Sequence, residues 1–551
     1  MKRNLLWIQT LMMASMCYAE DITIRYNGAK AEVQQNTKDS VSVIVDGANV
    51  NIESMYKDHK LTVRLTGKSD NGQLILKTAG KAKVELDGLT LTSQEGAPLD
   101  LKNKKKVEVV ATKGTNNTLT ITACNDTANH KAATIWAKDK LLLSGKGTLN
   151  IIATGDGCRG IKTKKDITIE ELTLNVTTSG DNLGEKPFGF GDGMPDFGGG
   201  MPDFGGGMPD FGGGMPNFGG GMPDSGNFPR PDFGGGFPGG GFPGGGFSGG
   251  GFSPFGRSAR NDSTQRGGFP RPDFGGGFPG GGFPGGGFPN FGGMRPEEND
   301  STSEDDSEGF GGGFGGKHKY IASTKGIASK GKITINSGNI TVKTSTAGAE
   351  GIEGKESIVF NGGNVDVQTT DDAINANAII EFNGANVIAK SLGNDAVDSN
   401  PKGGFFMPFG GNNNQQDNTP AIIIRGGTVY AWSKVGSPEE GLDCDFAPLV
   451  IEGGTIFSVG GGMGEMPSVP SNEDAKQPTA LLIGLNVVKN EPIYIYDGNG
   501  KQINTVTIPF SLRRSASLVS SPAFKLGSTY TVKTKGYERT FTLNEPFTTV
   551  R

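Results

Sequence analysis

The chain has 551 residues and a formal net charge of −5. This mild acidity argues against nucleic acid as a partner. The three histidines, His59, His130 and His318, lie too far apart in sequence to form a zinc-binding spacing.

The first 19 residues predict a cleaved signal peptide. A short basic start precedes an apolar run from Leu5 to Met16, and Cys17-Tyr-Ala19 places small residues at the cleavage positions. Cleavage after Ala19 removes two cations and no acid, which changes the formal charge from −5 to −7. We therefore expect a secreted, periplasmic or cell-surface protein, with lipidation of Cys17 as the alternative.

The mature chain retains three cysteines, Cys124, Cys158 and Cys444. Their odd number gives no disulfide framework, and the pattern leaves their disulfide state open. Cys444 follows a predicted core leucine by two residues, so we expect it to be a buried thiol.

Residues 20–182 are predicted to form a β-rich region and the first turns of a repeating structure. Gly160-Ile161 aligns with Gly326-Ile327 if the residues between about 183 and 317 are an insertion. Ile135 lies 26 residues before Ile161, and Leu99 lies 36 residues earlier in a weaker copy.

Residues 183–316 form a low-complexity insertion. The segment Met194-Pro-Asp-Phe-Gly-Gly-Gly200 recurs with a seven-residue period and gives way to Phe-Pro-Gly-Gly-Gly. Glycine and proline at this density favour a disordered loop. The alternative is that the spaced Phe and Met side chains contact a surface, a glycan or other copies. A shorter loop, Gly403 to Asn418, resembles this insertion.

Residues 317–465 contain the clearest copies of a short repeat. One apolar position recurs at intervals of 25, 22, 23 and 45 residues, at Ile327, Ile352, Ile374, Val397 and Leu442. The last interval is two turns, or one turn plus a loop. Short β-branched segments bounded by Gly or Asn surround each copy, so each copy predicts three strands. Copies of about 23 residues that run in one direction predict an all-β parallel β-helix.

Residues 466–477 are predicted to be a linker, and residues 478–551 lack the acidic repeat. Alternating segments such as Pro492-Ile-Tyr-Ile-Tyr496 predict further strands. The end of a solenoid exposes strand edges and apolar core, so a β-rich C-terminal cap is expected. A small separate binding module is the alternative.

Acidic residues flank the recurring apolar position in the later copies. Stacked at the strand spacing of about 4.8 Å, they predict two acidic columns beside one turn. Neighbouring carboxylates repel, and oxygen-only ligands of this kind suit Ca²⁺. Water-exposed turn carboxylates without a specific ion remain the alternative. The predicted calcium ligands are Glu350, Glu353, Asp372, Asp395, Asp398, Glu440 and Asp443.

Strand alternation predicts a second surface. Where alternate valines and alanines point inward, their neighbours point outward on one face. Aromatic rings can lie against pyranose faces there, and lysines can pair with uronate carboxylates. Burial of the two aromatic residues beneath a loop or the cap is the alternative. The predicted carbohydrate-binding residues are Lys343, Asp366, Gln368, Lys390, Tyr430 and Trp432.

These motifs carry a resemblance to a known family. The order Gly-Ile, Asp371-Asp-Ala-Ile374, Asn394-Asp-Ala-Val-Asp398 and Glu440-Gly-Leu-Asp443, with the Phe/Met/Gly-rich insertion, resembles bacterial carbohydrate-binding domain-containing proteins of the right-handed parallel β-helix type. The resemblance covers residues 85–182 and 317–465. It implies a topology similar to that of pectate lyases, calcium on the helix, and binding of cellulose and acidic sugars such as polygalacturonate.

The resemblance supports the metal role at Glu350, Asp372, Asp395 and Asp398, whereas Asn375 and the early non-acidic copies depart from it. We expect a non-catalytic protein that binds a plant-type or acidic polysaccharide, with no catalytic residues assigned and the oligomeric state left open. Adjacent Asp371 and Asp372 point oppositely on one strand and make a poor hydrolytic pair. The alternatives are a calcium-dependent polysaccharide lyase and a surface adhesin or scaffold acting through the Gly/Phe/Met repeats.

Overall fold

A computed structural model describes most of the chain outside the Gly-rich insertion. The described ranges are 20–37, 40–57, 60–123, 132–182, 323–401, 419–436, 438–444, 447–461 and 467–551. The predicted signal peptide, the 183–316 insertion, the 403–418 loop, Cys124 and the three histidines lie outside these ranges. Within them the protein is all-β and has no helix, and hence no helix that could cross a membrane.

The N-terminal strands precede the repeating part of the molecule. They are β1 (Glu20–Asn27), β2 (Lys30–Asn36), β3 (Val41–Asp46), β4 (Asn49–Ser54), β5 (Leu61–Ser69) and β6 (Gln73–Thr78). The strands before the insertion are β7 (Ala82–Ser93), β8 (Leu99–Asn103), β9 (Val107–Ala111), β10 (Asn116–Ile121), β11 (Ala133–Ala137), β12 (Leu141–Gly145), β13 (Thr148–Ala153), β14 (Arg159–Thr163), β15 (Ile167–Ile169) and β16 (Thr173–Thr178).

The strands after the insertion continue the same pattern. They are β17 (Lys325–Ser329), β18 (Ile333–Ile335), β19 (Asn339–Thr344), β20 (Glu350–Gly354), β21 (Ile358–Phe360), β22 (Asn364–Thr369), β23 (Ile374–Ala376), β24 (Ile380–Phe382), β25 (Asn386–Ser391), β26 (Val397–Ser399), β27 (Ile422–Ile424), β28 (Thr428–Ser433), β29 (Leu442–Asp443), β30 (Leu449–Ile451) and β31 (Thr455–Gly460). The C-terminal strands are β32 (Thr479–Val487), β33 (Pro492–Asp497), β34 (Gln502–Thr507), β35 (Leu512–Ser520), β36 (Thr529–Thr534), β37 (Tyr537–Thr542) and β38 (Phe547–Val550).

Each strand from β11 to β28 pairs in parallel with the strand three places later in the chain. The β11, β14, β17 and β20 series forms an 11-stranded sheet, whereas the β12 and β13 series both lie in a 23-stranded sheet. One set of three strands, with its connections, is called a rung below. The repeat of about 23 residues therefore reflects three short strands and their turns.

The two halves of the chain join without a break in the pairing. Ile161 on β14 pairs with Ile327 on β17, and Thr173 to Thr178 on β16 pair with Asn339 to Thr344 on β19. The alignment across the insertion therefore predicted the correct neighbours. Val397 pairs directly with Leu442, so the 45-residue interval is one rung plus a loop.

Aliphatic side chains at alternate positions fill the interior. Ile333 and Ile335 are fully buried, while Thr334 between them is half-buried. The position of Ile335 carries Phe360 and Phe382 on the next two rungs, and their rings stack at 5.0 Å with planes 4° apart. Parallel in-register pairing places like side chains above one another, which lets aromatic rings stack along the core.

An amide ladder runs along one turn outside this core. Asn336 donates to Glu170, Asn361 to Asn336, and Asn383 to Asn361, at 3.2, 2.9 and 2.9 Å. The Arg425 guanidinium donates to the Asn383 carbonyl oxygen at 2.9 Å and completes the series. Every bond in the series has the same direction, from the cationic Arg425 at one end to the anionic Glu170 at the other. The chain of amides therefore stabilises the turn cooperatively.

The C-terminal strands extend the 23-stranded sheet. β35 pairs antiparallel with β31, the last rung strand, and β32 pairs with β35 and β38. β33, β34, β36 and β37 form a separate four-stranded sheet. An exposed edge at β31 would present unpaired backbone groups, and β35 satisfies them.

Candidate functional site

The predicted acidic columns exist as stacked positions on the 11-stranded sheet. Ile327, Ile352, Ile374, Val397 and Leu442 pair in succession, which fixes the residues on either side. One column is Glu350, Asp372, Asp395 and Glu440, two positions before the apolar residue. The other is Glu353, Asn375, Asp398 and Asp443, one position after it.

Basic residues occupy three of the four positions of the same columns on the two preceding rungs. Arg159 and Lys325 precede Glu350 in the first column. Lys162 and Ala328 precede Glu353 in the second. The outer face of this sheet therefore changes from positive to negative between β17 and β20.

Lys325 neutralises the first acidic rung. Its Nζ lies 2.6 Å from a Glu353 carboxylate oxygen and 3.3 Å from a Glu350 oxygen. Lys355 also pairs with Glu353 from just beyond the end of the strand. The predicted columns omitted Lys355 because it lies outside the two aligned positions. Lysines thus supply counter-charge for Glu350 and Glu353.

This environment shifts the pKa values of the two glutamates in opposite directions. Burial, followed by the charge of Glu353, raises the pKa of Glu350 to about 7. Burial alone would also raise the pKa of Glu353, but Lys325 and Lys355 outweigh it and hold that pKa at about 2. One carboxyl of the rung is therefore firmly ionised, and the other takes up a proton near neutral pH.

The next rungs place Asn375 between two buried aspartates. The Asn375 side-chain amide nitrogen donates to Asp372 at 2.8 Å and to Asp398 at 3.3 Å. Asn400 donates to Asp398 at 2.6 Å. Asp372 is only 5% exposed, and its Oδ1 is buried without a hydrogen-bond donor among the described residues. Burial, followed by the charge of Asp398, raises the pKa of Asp372 well above its usual value.

The last acidic rung is held mainly by backbone donors. The backbone N–H of Glu440 donates to Asp395, and the N–H of Ser468 donates to Glu440 at 2.7 Å. The Ser468 hydroxyl donates to Asp443 at 3.4 Å. Burial, followed by the charge of Asp443, raises the pKa of Asp395 well above its usual value. These carboxylates repel one another at the end of the column.

A cation fits only part of the predicted set. Among the described residues, no three carboxylate, imidazole or thiol groups already converge as a metal cage. Asp372 and Asp398 nevertheless flank one amide, and Asp372 has a buried oxygen that receives no hydrogen bond from the described residues. If the Asn375 amide turned over, its oxygen would join them as a third oxygen ligand, which is the donor chemistry that Ca²⁺ prefers.

The predicted carbohydrate-binding residues divide into an open group and a covered group. Lys343 is exposed and Gln368 is half-buried, on paired positions of β19 and β22. Lys390 forms an ion pair with Asp366 on the neighbouring strand. All four lie on the outer side of the 23-stranded sheet, as the alternation predicted.

Tyr430 and Trp432 belong to the covered group. Trp432 is 4% exposed, and its indole N–H donates to the Phe457 carbonyl at 3.1 Å. It packs in a second core with C-terminal residues such as Leu482. The Tyr430 hydroxyl donates to Asn504 of β34 at 3.3 Å. A sugar ring cannot reach Trp432, so the prediction that it stacks on a ligand is corrected: the C-terminal strands cover it.

The open face continues towards the N-terminus, where sequence reasoning assigned no binding role. Its outward positions on β7, β10, β13 and β16 carry mainly hydroxyl and amide groups and lie in register with Lys343 or its neighbour Thr341. They are Thr90, Thr92, Thr118, Thr120, Asn150, Ile152, Asn175 and Thr177. The paired Thr-x-Thr pattern of Thr90 to Thr92 and Thr118 to Thr120 was the available signal.

Comparison with known proteins gives a family match and a structural similarity. A family model described as carbohydrate-binding domain-containing protein matches residues 46–187 and 296–396, less than half of the chain. A solved structure described as a polysaccharide lyase-like protein from C. thermocellum, in a gadolinium derivative, is similar at 14% identity. The similarity covers 69% of this chain and 92% of that chain with a TM-score of 0.34, too low to add support. No curated protein matches the chain.

Proposed function

We propose that this chain is a secreted, non-catalytic carbohydrate-binding protein that recognises an acidic or plant-type polysaccharide. The family match over residues 46–187 and 296–396 is the observation that carries the proposal. It spans the strands that present the open face from β7 to β22. The first residues of a secreted chain would be the signal peptide ending at Ala19, as the sequence pattern suggests.

In this proposal the rungs wind as a right-handed parallel β-helix. Each strand pairs in parallel with the strand three places later, which requires a crossover connection between them. Crossovers between parallel strands of one sheet are right-handed in about 98% of cases. Handedness here therefore rests on this general preference together with the observed pairing.

The binding surface of the proposal is the open face of the 23-stranded sheet. Parallel strands at about 4.8 Å spacing present rows of hydroxyl and amide groups along which an extended glycan can lie. Lys343 supplies an exposed positive charge for a uronate carboxylate. Lys390 already forms an ion pair with Asp366, so it contributes less positive charge to the binding surface.

Calcium in this proposal binds beside Asp372, Asp398 and Asn375, with Asp395, Glu440 and Asp443 as the alternative ligands on the last rungs. Bound there, the ion would offset the repulsion between buried carboxylates and stiffen the rungs. The support is the buried oxygen of Asp372 that receives no hydrogen bond among the described residues. Its effect would be structural, since the open face belongs to the other sheet.

The proposal that the protein is non-catalytic rests on this separation of the calcium site from the open face. A lyase of this type would place a metal and a basic side chain around one sugar unit. Lys343 lies on β19 of the 23-stranded sheet, whereas Asp372 lies just before β23 and Asp398 lies on β26 of the 11-stranded sheet. The two groups therefore face different surfaces.

The experiment is a glycan array of the mature protein with and without EGTA, followed by titration with polygalacturonate. Lys343→Glu should weaken binding roughly tenfold, or about 1.4 kcal/mol. Lys489→Glu makes the same charge change at an exposed C-terminal lysine and should leave binding unchanged. Equal affinities for the two variants would disprove the proposed surface. Unsaturated oligosaccharide products would show a lyase instead.

A further inference from the structure

The N-terminal end of the 11-stranded sheet is an open strand edge. β3 is the outermost strand there and pairs only with β4 among the described strands. The two strands form a two-residue hairpin closed by Asp46 and Asn49. The closing pair is hydrogen-bonded and the pairs then alternate, so Val43 and Val45 turn their N–H and C=O groups away from β4. These groups have no partner among the described residues.

Apolar side chains are exposed along the same edge. Ile44, on the outer side of β3, is 63% exposed, and Val45, which alternates towards the interior, is still 43% exposed. Met55, directly after β4, is also exposed. Edge strands are commonly protected by Lys or Pro, but β3 carries neither, and its one charged residue is Asp46 beside the turn. An edge of this composition favours pairing with another strand.

The opposite end of the sheet is already covered. The backbone N–H of Cys444, directly after β29, donates to the Ser468 hydroxyl at 3.1 Å, and the Ser468 N–H donates to Glu440. The chain around Ser468 therefore lies beside β29, and β35 covers β31 in the other sheet. These contacts block a head-to-tail series of copies, whereas a twofold axis pairs an open edge with itself.

We propose that two copies of this chain pair β3 with β3, antiparallel, about a twofold axis at Ile44. Val43 of each copy then lies opposite Val45 of the other, so the outward backbone groups of both residues hydrogen-bond to one another. The two Ile44 side chains meet at the axis and lose their exposure to water. Ser42 lies opposite Asp46, so its hydroxyl donates to that carboxylate.

β2 forms the edge of the 23-stranded sheet at the same end of the molecule. It pairs only with β1 among the described strands. The Ala31 N–H donates to the Gly47 carbonyl at 2.8 Å. The Gln35 side-chain amide donates to the Val41 carbonyl at 3.3 Å. The two edges therefore run in opposite directions, and the twofold axis of the β3 pair passes β2 near Val33.

This position of the axis brings no like charges together. Positions equally far from the axis on β2 face each other in the two copies. Glu32 of one copy lies beside Gln34 of the other, and Lys30 lies beside Asn36. All four side chains are exposed. An amide bonds to either charge, so the β2 edges are compatible with the pairing that β3 makes.

Analytical ultracentrifugation of the mature chain over a range of concentrations tests the pairing. Wild-type protein should reach twice the monomer mass. Ile44→Lys places two like charges at the axis and should give a folded monomer, since Ile44 is exposed. Leu526→Lys makes the same change at another exposed residue and should remain dimeric. A wild-type monomer at every concentration, or a dimeric Ile44→Lys variant, would overturn the proposal.

A cysteine at the axis tests the register. Opposed residues at such an axis lie within disulfide reach, so Ile44→Cys should form a disulfide-linked dimer under mild oxidation. Leu526→Cys should stay unlinked, and wild-type protein controls for the native cysteines. A dimer by mass in which Ile44→Cys does not link would refute the proposed pairing. The pairing does not depend on the proposed function, because it involves no sugar contact.

Discussion

The Lys325 ammonium lies 2.6 Å from the Glu353 carboxylate, and both side chains are only 4% exposed. They belong to adjacent rungs, because Ala328 of the Lys325 strand pairs with Glu353. The pair therefore joins the last basic rung to the first acidic one. Removal of either charge would leave the other buried without full compensation.

Lys325→Met should lower the free energy of unfolding by about 3–5 kcal/mol, since a buried ion pair broken on one side leaves an uncompensated charge. Thermal and urea unfolding measure this loss. Lys140→Met, which removes an exposed partner of Asp166, should have little effect on the free energy of unfolding. The double variant Lys325→Met/Glu353→Gln should recover part of the loss. A small effect of the single variant would contradict the assigned role.

Glu350→Gln should stabilise the protein at pH 8 and have little effect at pH 5. The folded-state pKa of Glu350 is raised to about 7, so its ionised form is the less stable one in the fold. Stability should thus increase as pH falls from above 7 towards the unfolded value near 4.3, by a few kcal/mol at most. Melting temperatures across this pH range in EGTA provide the measurement.

Glu353 has the opposite pH dependence. Its folded-state pKa is depressed to about 2, so its contribution is complete above the unfolded pKa and is lost as pH falls towards 2. Wild-type stability should therefore pass through a maximum between these limits. Glu350→Gln should remove only the neutral-pH limb. A variant that shifted the acid limb instead would show that the two carboxyls have been assigned in reverse.

Asp372→Asn should have opposite effects with and without calcium. In EGTA the substitution removes a buried charge and should leave stability equal or higher. Calcium at a hundredfold excess over Kd should stabilise the wild type by about 2.7 kcal/mol and the variant by much less. Asp366→Asn, on the other sheet, is the matched control. A wild-type melting temperature insensitive to calcium would remove the metal proposal.

Trp432→Ala should reduce stability by about 3–5 kcal/mol, because the ring is buried between the last rungs and the C-terminal strands. Binding of polysaccharide per folded molecule should be unchanged. Val435→Ala nearby changes a side chain that is 48% exposed and should have little effect on either quantity. Lost binding at full stability would restore Trp432 as a sugar contact.

Sequence reasoning succeeded where the fixed repeat length determines which residues pair on adjacent rungs. The interval between Ile352 and Ile374 gave the correct pair on adjacent rungs, and the alignment of Ile161 with Ile327 gave the correct pair across the insertion. Both follow from the two-residue alternation and a fixed rung length. The stacking of Asp372 on Asp395 followed from the same spacing.

The failures concern contacts between distant segments. Alternation placed Trp432 on the outer side of its strand correctly, but it could not reveal that residues 479–550 cover that side. Lys355 reaches Glu353 from a turn, outside the aligned columns.

Because β16 pairs with β19 without interruption, the pairing of the rungs does not depend on the length of the insertion. The insertion lies between Asn182 and Ser323, yet Asn182 donates to Ala347 and accepts from Thr324, so both ends are fixed to the same rung. Loop-closure free energy changes by only about 0.6 kcal/mol for each doubling of loop length. This junction is therefore a natural place to exchange one inserted sequence for another, both in engineered variants and over evolutionary time.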